Sequence, residues 1–303
     1  MMRSLTAVLL ALALILGLGA SSPAVEKGVL APGAKLEKLA GDFAFTEGPT
    51  CDARGNLFFT DQPNDRIMEW SAEGKLSVFL QPAGRANGMH FDAAGRLLAC
   101  ADEKNELWSI GPKGDKTVVW QGYAGRALNG PNDVWVHPGG GLYFTDPFYK
   151  RPWWTHDTMP QDGQHVYYLA PGSKAVVRVT EDLVQPNGIV GAPDGHTLYV
   201  ADIGAKKTWR YQIQADGRLA GKTLVTEHGS DGMTLDNEGN GYLTGDGVRV
   251  FDRSGREVEH VQVPEAWTAN VSFCGKDRHT LFITASKGLY AIRTRTKGAD
   301  PAK

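Results

Sequence analysis

The sequence predicts an all-β fold: a six-bladed β-propeller with four-stranded blades around a central channel. Three observations carry this. A short motif recurs six times, with its polar first residue at spacings of 40, 45, 55, 44 and 39 residues. Repeats of ~40–50 residues holding several short strands belong to propeller blades. Glycine makes up 37 of the 303 residues, well above the usual share of roughly 7%, and supplies many tight turns. Helical periodicity is absent throughout, while Val, Leu, Phe, Tyr and Thr fill the strand-like runs.

Each repeat is a polar anchor, an apolar strand, a turn of Asp/Gly type and a second apolar strand, which usually ends in Thr-Asp or Ala-Asp. The first copy reads EGPTCDARGNLFFTD from Glu47 and the second NGMHFDAAGRLLACAD from Asn87. The third is NDVWVHPGGGLYFTD from Asn132 and the fourth NGIVGAPDGHTLYVAD from Asn187. The fifth is DGMTLDNEGNGYLTGD from Asp231 and the last NVSFCGKDRHTLFITA from Asn270. A second hairpin follows each copy, as in Arg66–Trp70 and Leu76–Leu80, so a unit holds about four strands. Leu36–Phe45 and Gly288–Thr294, at the two ends, are expected to complete one blade together and close the ring. One blade alone leaves both sheet faces bare; stacking around a ring buries them and leaves no long exposed edge. At ~150 residues per domain the length would allow two domains, but no linker divides the chain. Residues 21–303 therefore read as a single domain.

Residues 1–20 read differently. Arg3 precedes an apolar run of 16 residues, Leu5–Ala20, broken only by Thr6, and small residues follow before Pro23. This is the pattern of a secretory signal peptide, and it is shorter than the ~20 residues that span a bilayer. An uncleaved membrane anchor is the alternative. On the first reading the mature protein is periplasmic or secreted and has no membrane partner. Lys plus Arg total 32 against 34 Asp plus Glu, a formal charge of −2. That gives no basic surface for nucleic acid, so no such partner is expected. Cys51, Cys100 and Cys274 allow at most one disulfide. Each lies in or beside an apolar run, so buried free thiols are the expectation.

In a propeller the innermost strand of each blade starts at one mouth of the channel. Glu47, Asn87, Asn132, Asn187, Asp231 and Asn270 open those strands and should converge there. Asn and Asp also bond their own backbone at turns, but six such residues at one repeat phase point to a site. The donors are all oxygens, two carboxylates and up to four amides, with no His or Cys among them. Such a set favours one divalent cation, Ca²⁺ first, with Mg²⁺, Mn²⁺ or Zn²⁺ as other candidates. The second strand of each unit returns to the same face. In the third unit the next loop, Pro147–His165, is long and carries Phe148, Tyr149, Lys150, Arg151, Trp153, Trp154 and His156. It is either a packed excursion or a lid over a polar ring substrate, with Trp153 and Trp154 as substrate contacts. Asp61, Asp102, Asp146 and Asp202 end second strands and read as turn-capping residues. The tryptophans other than Trp153 and Trp154 read as core.

The segments Glu47-Gly48-Pro49, Pro131-Asn132-Asp133, Tyr143-Phe144-Thr145-Asp146-Pro147, Pro186-Asn187-Gly188 and Asp231-Gly232-Met233 resemble the gluconolactonase/regucalcin family of six-bladed propellers. The closing Thr280–Ala285 is similar, and the likeness covers about residues 40–295. The resemblance implies one divalent cation held by Glu47, Asn187 and Asp231, with Asn132 completing the shell or binding substrate. It implies that Asp231 is the catalytic proton donor and acceptor in hydrolysis of a lactone, plausibly a sugar lactone such as gluconolactone. Asn132 and Asn87 would orient substrate. Where regucalcins carry a substrate-binding Arg this chain has Gly130, and Arg126 and Asn129 are the nearby substitutes. Two rivals stay open: an esterase or organophosphate hydrolase on the same metal site, and a non-catalytic secreted propeller that binds a ligand.

Overall fold

The computed structural model describes residues 28–299; the expected signal segment lies outside the described residues. Strand β1 (Glu37–Ala40) comes first. Blade 1 follows as β2 (Thr46–Cys51), β3 (Leu57–Asp61), β4 (Arg66–Trp70) and β5 (Leu76–Leu80). Blade 2 is β6 (Ala86–Phe91), β7 (Leu97–Ala101), β8 (Glu106–Ile110) and β9 (Lys116–Gln121). Blade 3 is β10 (Val134–Val136), β11 (Leu142–Asp146), β12 (His165–Leu169) and β13 (Val176–Arg178). Blade 4 is β14 (Pro186–Gly191), β15 (Thr197–Asp202), β16 (Lys207–Ile213) and β17 (Leu219–Thr226). Blade 5 is β18 (Met233–Leu235), β19 (Gly241–Gly245), β20 (Gly247–Phe251) and β21 (Glu257–Val261). Blade 6 joins β22 (Thr268–Cys274), β23 (Thr280–Ala285) and β24 (Gly288–Arg293) to β1 from the other end of the chain. β1 pairs antiparallel with β24, Glu37 opposite Ala291 and Lys38 opposite Tyr290, so the ring closes as the sequence predicts. The one helical turn among the described residues is Gln62–Asn64.

The core lies between blades. Phe58 and Ile67 of blade 1 pack with Met89, Leu97 and Trp108 of blade 2. Trp135 and Tyr143 of blade 3 pack with Ile189, Leu198 and Tyr211 of blade 4 and Met233 of blade 5. Each such side chain stabilises the ring by about 1.5–3 kcal/mol on burial. Tyr143 can be fully buried because its hydroxyl donates to Gly217 O at 2.8 Å.

Two local devices set the inner strands. First, the ladder of β2, β6, β14 and β22 is irregular where the anchor stands, between Glu47 and Thr50, Ala86 and Met89, Pro186 and Ile189, and Thr268 and Asn270. Such irregularities re-aim a side chain that regular alternation would send elsewhere. Gly48 makes this possible in blade 1. Its φ is +46°, and a Cβ there would overlap Asn87 O of the next blade. Second, carboxylates at the ends of second strands bind the chain entering the inner strand. Asp61 Oδ1 accepts from Ala44 N and Phe45 N at 2.9 and 3.3 Å. Asp146 accepts from Asn129 N and Gly130 N, both at 2.9 Å. Asp202 accepts from Val184 N and Gln185 N at 2.9 and 2.8 Å. In each case the last amide held is two residues before an anchor.

The expectation of three free thiols is corrected. Cys51 and Cys274 form a disulfide, and only Cys100 is free and buried among the described cysteines. Both partners end innermost strands, of blades 1 and 6, which the closed ring sets side by side with 5.3 Å between Cα atoms. The 223-residue separation conceals that proximity in the sequence. The bond therefore fastens the ring at the seam where β1 also closes it. Replacing both Cys51 and Cys274 by Ser should cost about 2–5 kcal/mol of stability. Urea unfolding should show an earlier midpoint, and reducing agent should shift the native protein alike while leaving the double variant unmoved.

Candidate active site

The anchors meet at one mouth of the channel. Glu47 Oε2 accepts from its neighbour Gly48 N at 2.9 Å and from Asn270 Nδ2 at 3.2 Å across the ring seam. Asp231 Oδ1 accepts from Asn187 Nδ2 at 2.7 Å. The Glu47 and Asp231 carboxyls lie close enough to act on one another electrostatically. Asn87 and Asn132 stand at the next positions around the ring, where Gly88 N donates to Asn132 O at 2.7 Å. Glu47, Asn87, Asn132, Asn187, Asp231 and Asn270 are all buried.

Burial, and then the charge of Asp231, push the Glu47 carboxyl well above the usual carboxylate range. Burial also raises Asp231, opposed by hydrogen bonds from Trp267 and Asn187 and by the nearby Arg151 guanidinium. Two acids this close and this dry cannot both ionise unaided. A positive charge between them would let both do so, and the oxygen donors around them suit a hard cation. Asn187 spends its Nδ2 on Asp231 and on Tyr149, which leaves its amide oxygen for such a ligand. Asn87 Oδ1 is buried without a partner and would gain one. Among the described residues no three His, Cys, Asp or Glu side chains form a metal cluster, so a cation here would depend on the amides.

Three residues of the site escape the sequence reading. Trp267 Nε1 donates to Asp231 Oδ2 at 2.6 Å, so this tryptophan serves the site rather than the core. Tyr149, from the long loop of blade 3, has its hydroxyl 2.6 Å from Asn187 Nδ2. Asp133 follows Asn132 where the other copies carry Gly or Val. It is buried, accepts from Val134 N and Ile189 N, and burial raises it to about 7. The break in the repeat at 133 was the available signal; nothing in the sequence marks Trp267.

The remaining expected contacts separate. Asn129 is fully buried and structural: its Nδ2 donates to Asp146 O and Gly163 O, and its Oδ1 accepts from Gln161 N. Arg126 is exposed at a rim groove beside Tyr123 and Lys174. Trp154 supports the loop, its Nε1 donating to Asp102 O at 2.7 Å and its ring covering Gly130. A Cβ at Gly130 (φ +155°) would lie 2.6 Å from that ring, so no larger side chain fits. Trp153 lies between the guanidinium groups of Arg85 and Arg151, 4.7 and 5.8 Å from its ring centre.

The profile of the SMP-30/Gluconolactonase/LRE-like region matches residues 45–287. The chain belongs to this family. It is similar to the gluconolactonase of Zymomonas mobilis, 28% identical over 87% of this chain and 82% of that protein. The structure of a gluconolactonase from Xanthomonas campestris is 28% identical, covers 88% of this chain and 91% of its own, and superposes with a TM-score of 0.81. A calcium-binding regucalcin of Agrobacterium tumefaciens shares the fold at 21% identity and a TM-score of 0.71, over 91% of this chain and 95% of its own.

For this family member, the acids predict a pH dependence of known sign. Asp133 and Asp146 are raised to about 7, and Glu47 and Asp231 are raised as well, each led by burial. A raised folded-state value gives stability that is present at low pH and lost as pH climbs through it. In chelator, unfolding free energy should fall between about pH 4 and pH 7. Urea titrations across that range should show it, and Asp133→Asn should remove on the order of 4 kcal/mol of the total fall. A rise over the same interval would refute the burial account.

Proposed function

We propose that the protein is a metal-dependent lactonase that opens a sugar lactone such as gluconolactone by hydrolysis. Membership of the gluconolactonase family supports the reaction class. The observation that carries the reading is the Glu47–Asp231 pair, held at the axis with amide donors around it. Glu47, Asn132, Asn187 and Asp231 would hold one divalent cation, Ca²⁺ on the hardness and number of the oxygens. When bound it supplies Lewis acidity at the lactone carbonyl oxygen.

Asp231 then acts as general base and acid. One carboxylate oxygen takes a proton from the attacking water as the water oxygen bonds to the carbonyl carbon. The ring C–O bond breaks, and Asp231 returns the proton to the departing ring oxygen, giving a hydroxy acid. Asn187 and Trp267 each donate to one Asp231 oxygen and so fix the plane of the carboxylate. Asn132 and Asn87, at the starts of the inner strands of blades 3 and 2, would orient the carbonyl and ring hydroxyls. The loop over the mouth reduces access of bulk water, which strengthens these polar contacts.

Asp231→Asn should lower kcat for glucono-δ-lactone by about 10²–10⁴-fold. A stopped assay of lactone remaining would show it, and unchanged turnover would remove Asp231 from the mechanism. Chelator should abolish lactone opening and lower the thermal midpoint, with Ca²⁺ restoring both. Phenyl acetate and a phosphotriester in the same panel separate the esterase and organophosphate reading, which requires one of them to be the better substrate. A propeller that only binds a ligand would turn over none of the three.

A further inference from the structure

Asp102 departs from the pattern of its equivalents. Asp61, Asp146 and Asp202 each hold backbone amides ahead of an anchor, but in blade 2 the amide of Arg85 is held instead by Asp65 Oδ1 at 2.7 Å. The Asp102 carboxylate is thereby released, although it stays buried. Its Oδ2 accepts from Gln62 Nε2 of blade 1 at 3.0 Å and from Arg151 Nε of the loop over the mouth at 2.8 Å. Its backbone oxygen holds Trp154 of the same loop.

Arg151 is therefore fixed by one nitrogen only. Its guanidinium lies 4.9 Å from the ring centre of Tyr149, whose hydroxyl touches Asn187, and 5.8 Å from that of Trp153. It is near enough to Asp231 to act on it electrostatically. No hydrogen bond engages Nη1 or Nη2 among the described residues, and the side chain remains 20% exposed. A planar group with its Nε anchored, flanked by aromatic rings and carrying two uncommitted Nη donors beside the reacting centre, matches adjacent hydroxyl oxygens on a ring.

We propose that Arg151 is the specificity-determining residue for the lactone: its two Nη groups bind vicinal ring hydroxyls, and buried Asp102 is the positioning residue that aims it. The enzyme then selects polyhydroxylated lactones over bare ones, through a lid residue that no anchor supplies. This rests on the lactonase reading. The Arg fills, from the loop side, a role that Gly130 cannot fill beneath Trp154.

The test compares glucono-δ-lactone with δ-valerolactone, which has the same ring without hydroxyls. Arg151→Gln should raise KM for glucono-δ-lactone by about 10–100-fold, the range for hydrogen bonds to a charged group, and lower the ratio of its kcat/KM to that of δ-valerolactone by a similar factor. Arg151→Lys, which keeps the charge and loses the planar fork, should fall between and serves if the Gln variant does not fold. Asp102→Asn should raise KM for glucono-δ-lactone selectively with kcat little changed, and should add little in the Arg151→Gln background. Equal losses on both lactones, or no loss on either, would overturn the proposal while leaving the lactonase reading intact. A wild-type protein that opens neither lactone would overturn the lactonase reading itself, and this one with it.

Discussion

Glu47 and Asp231 face each other at the ring axis, where water no longer screens them. Much of the surrounding structure is what such a pair requires. Donors come from several blades: Asn270 joins the neighbouring Gly48 N on Glu47 Oε2, and Asn187 and Trp267 each take one Asp231 oxygen. A donor from one strand could not reach both acids. The ring can deliver them because its inner strands break register at the anchors and because Gly48 lets blade 1 approach blade 2 without a Cβ. Without a counter-charge the arrangement is costly, since burial of ionised groups is opposed by desolvation. That cost is the physical ground for expecting a cation there.

The carboxylates at the ends of second strands show one residue type put to two uses. Asp61, Asp146 and Asp202 satisfy amides that would otherwise be buried unpaired, and they set the approach to Glu47, Asn132 and Asn187. In blade 2 that task has moved to Asp65, and Asp102 instead holds the loop of blade 3. The loop thus touches blades 2 and 4 through Asp102 and Asn187, and Gln62 of blade 1 braces Asp102 from the other side. Its aromatic rings do more than exclude water: they clamp the guanidinium groups of Arg85 and Arg151 in a ladder.

Much of this was legible in the chain. The six copies from Glu47 to Asn270 share a phase, so their geometry follows from the fold once the period is seen. Ring closure by the two ends was readable because Gly288–Thr294 has no partner of its own after the sixth copy. The capping role of Asp61, Asp146 and Asp202 was readable from their common position. At Asn129 the sequence shows an amide near the site but not that both its hydrogens are spent on Asp146 and Gly163.

The sequence by itself determined the architecture and the identity of the axial acids and amides, because a repeat carries its geometry with it. Only the tertiary structure decided the contacts between parts that no period relates. Cys51 meets Cys274 across the seam, Trp267 reaches Asp231, and Arg151 locks onto Asp102. Each joins residues from different turns of the ring, and side-chain reach across such a gap depends on blade placement, which local pattern does not encode.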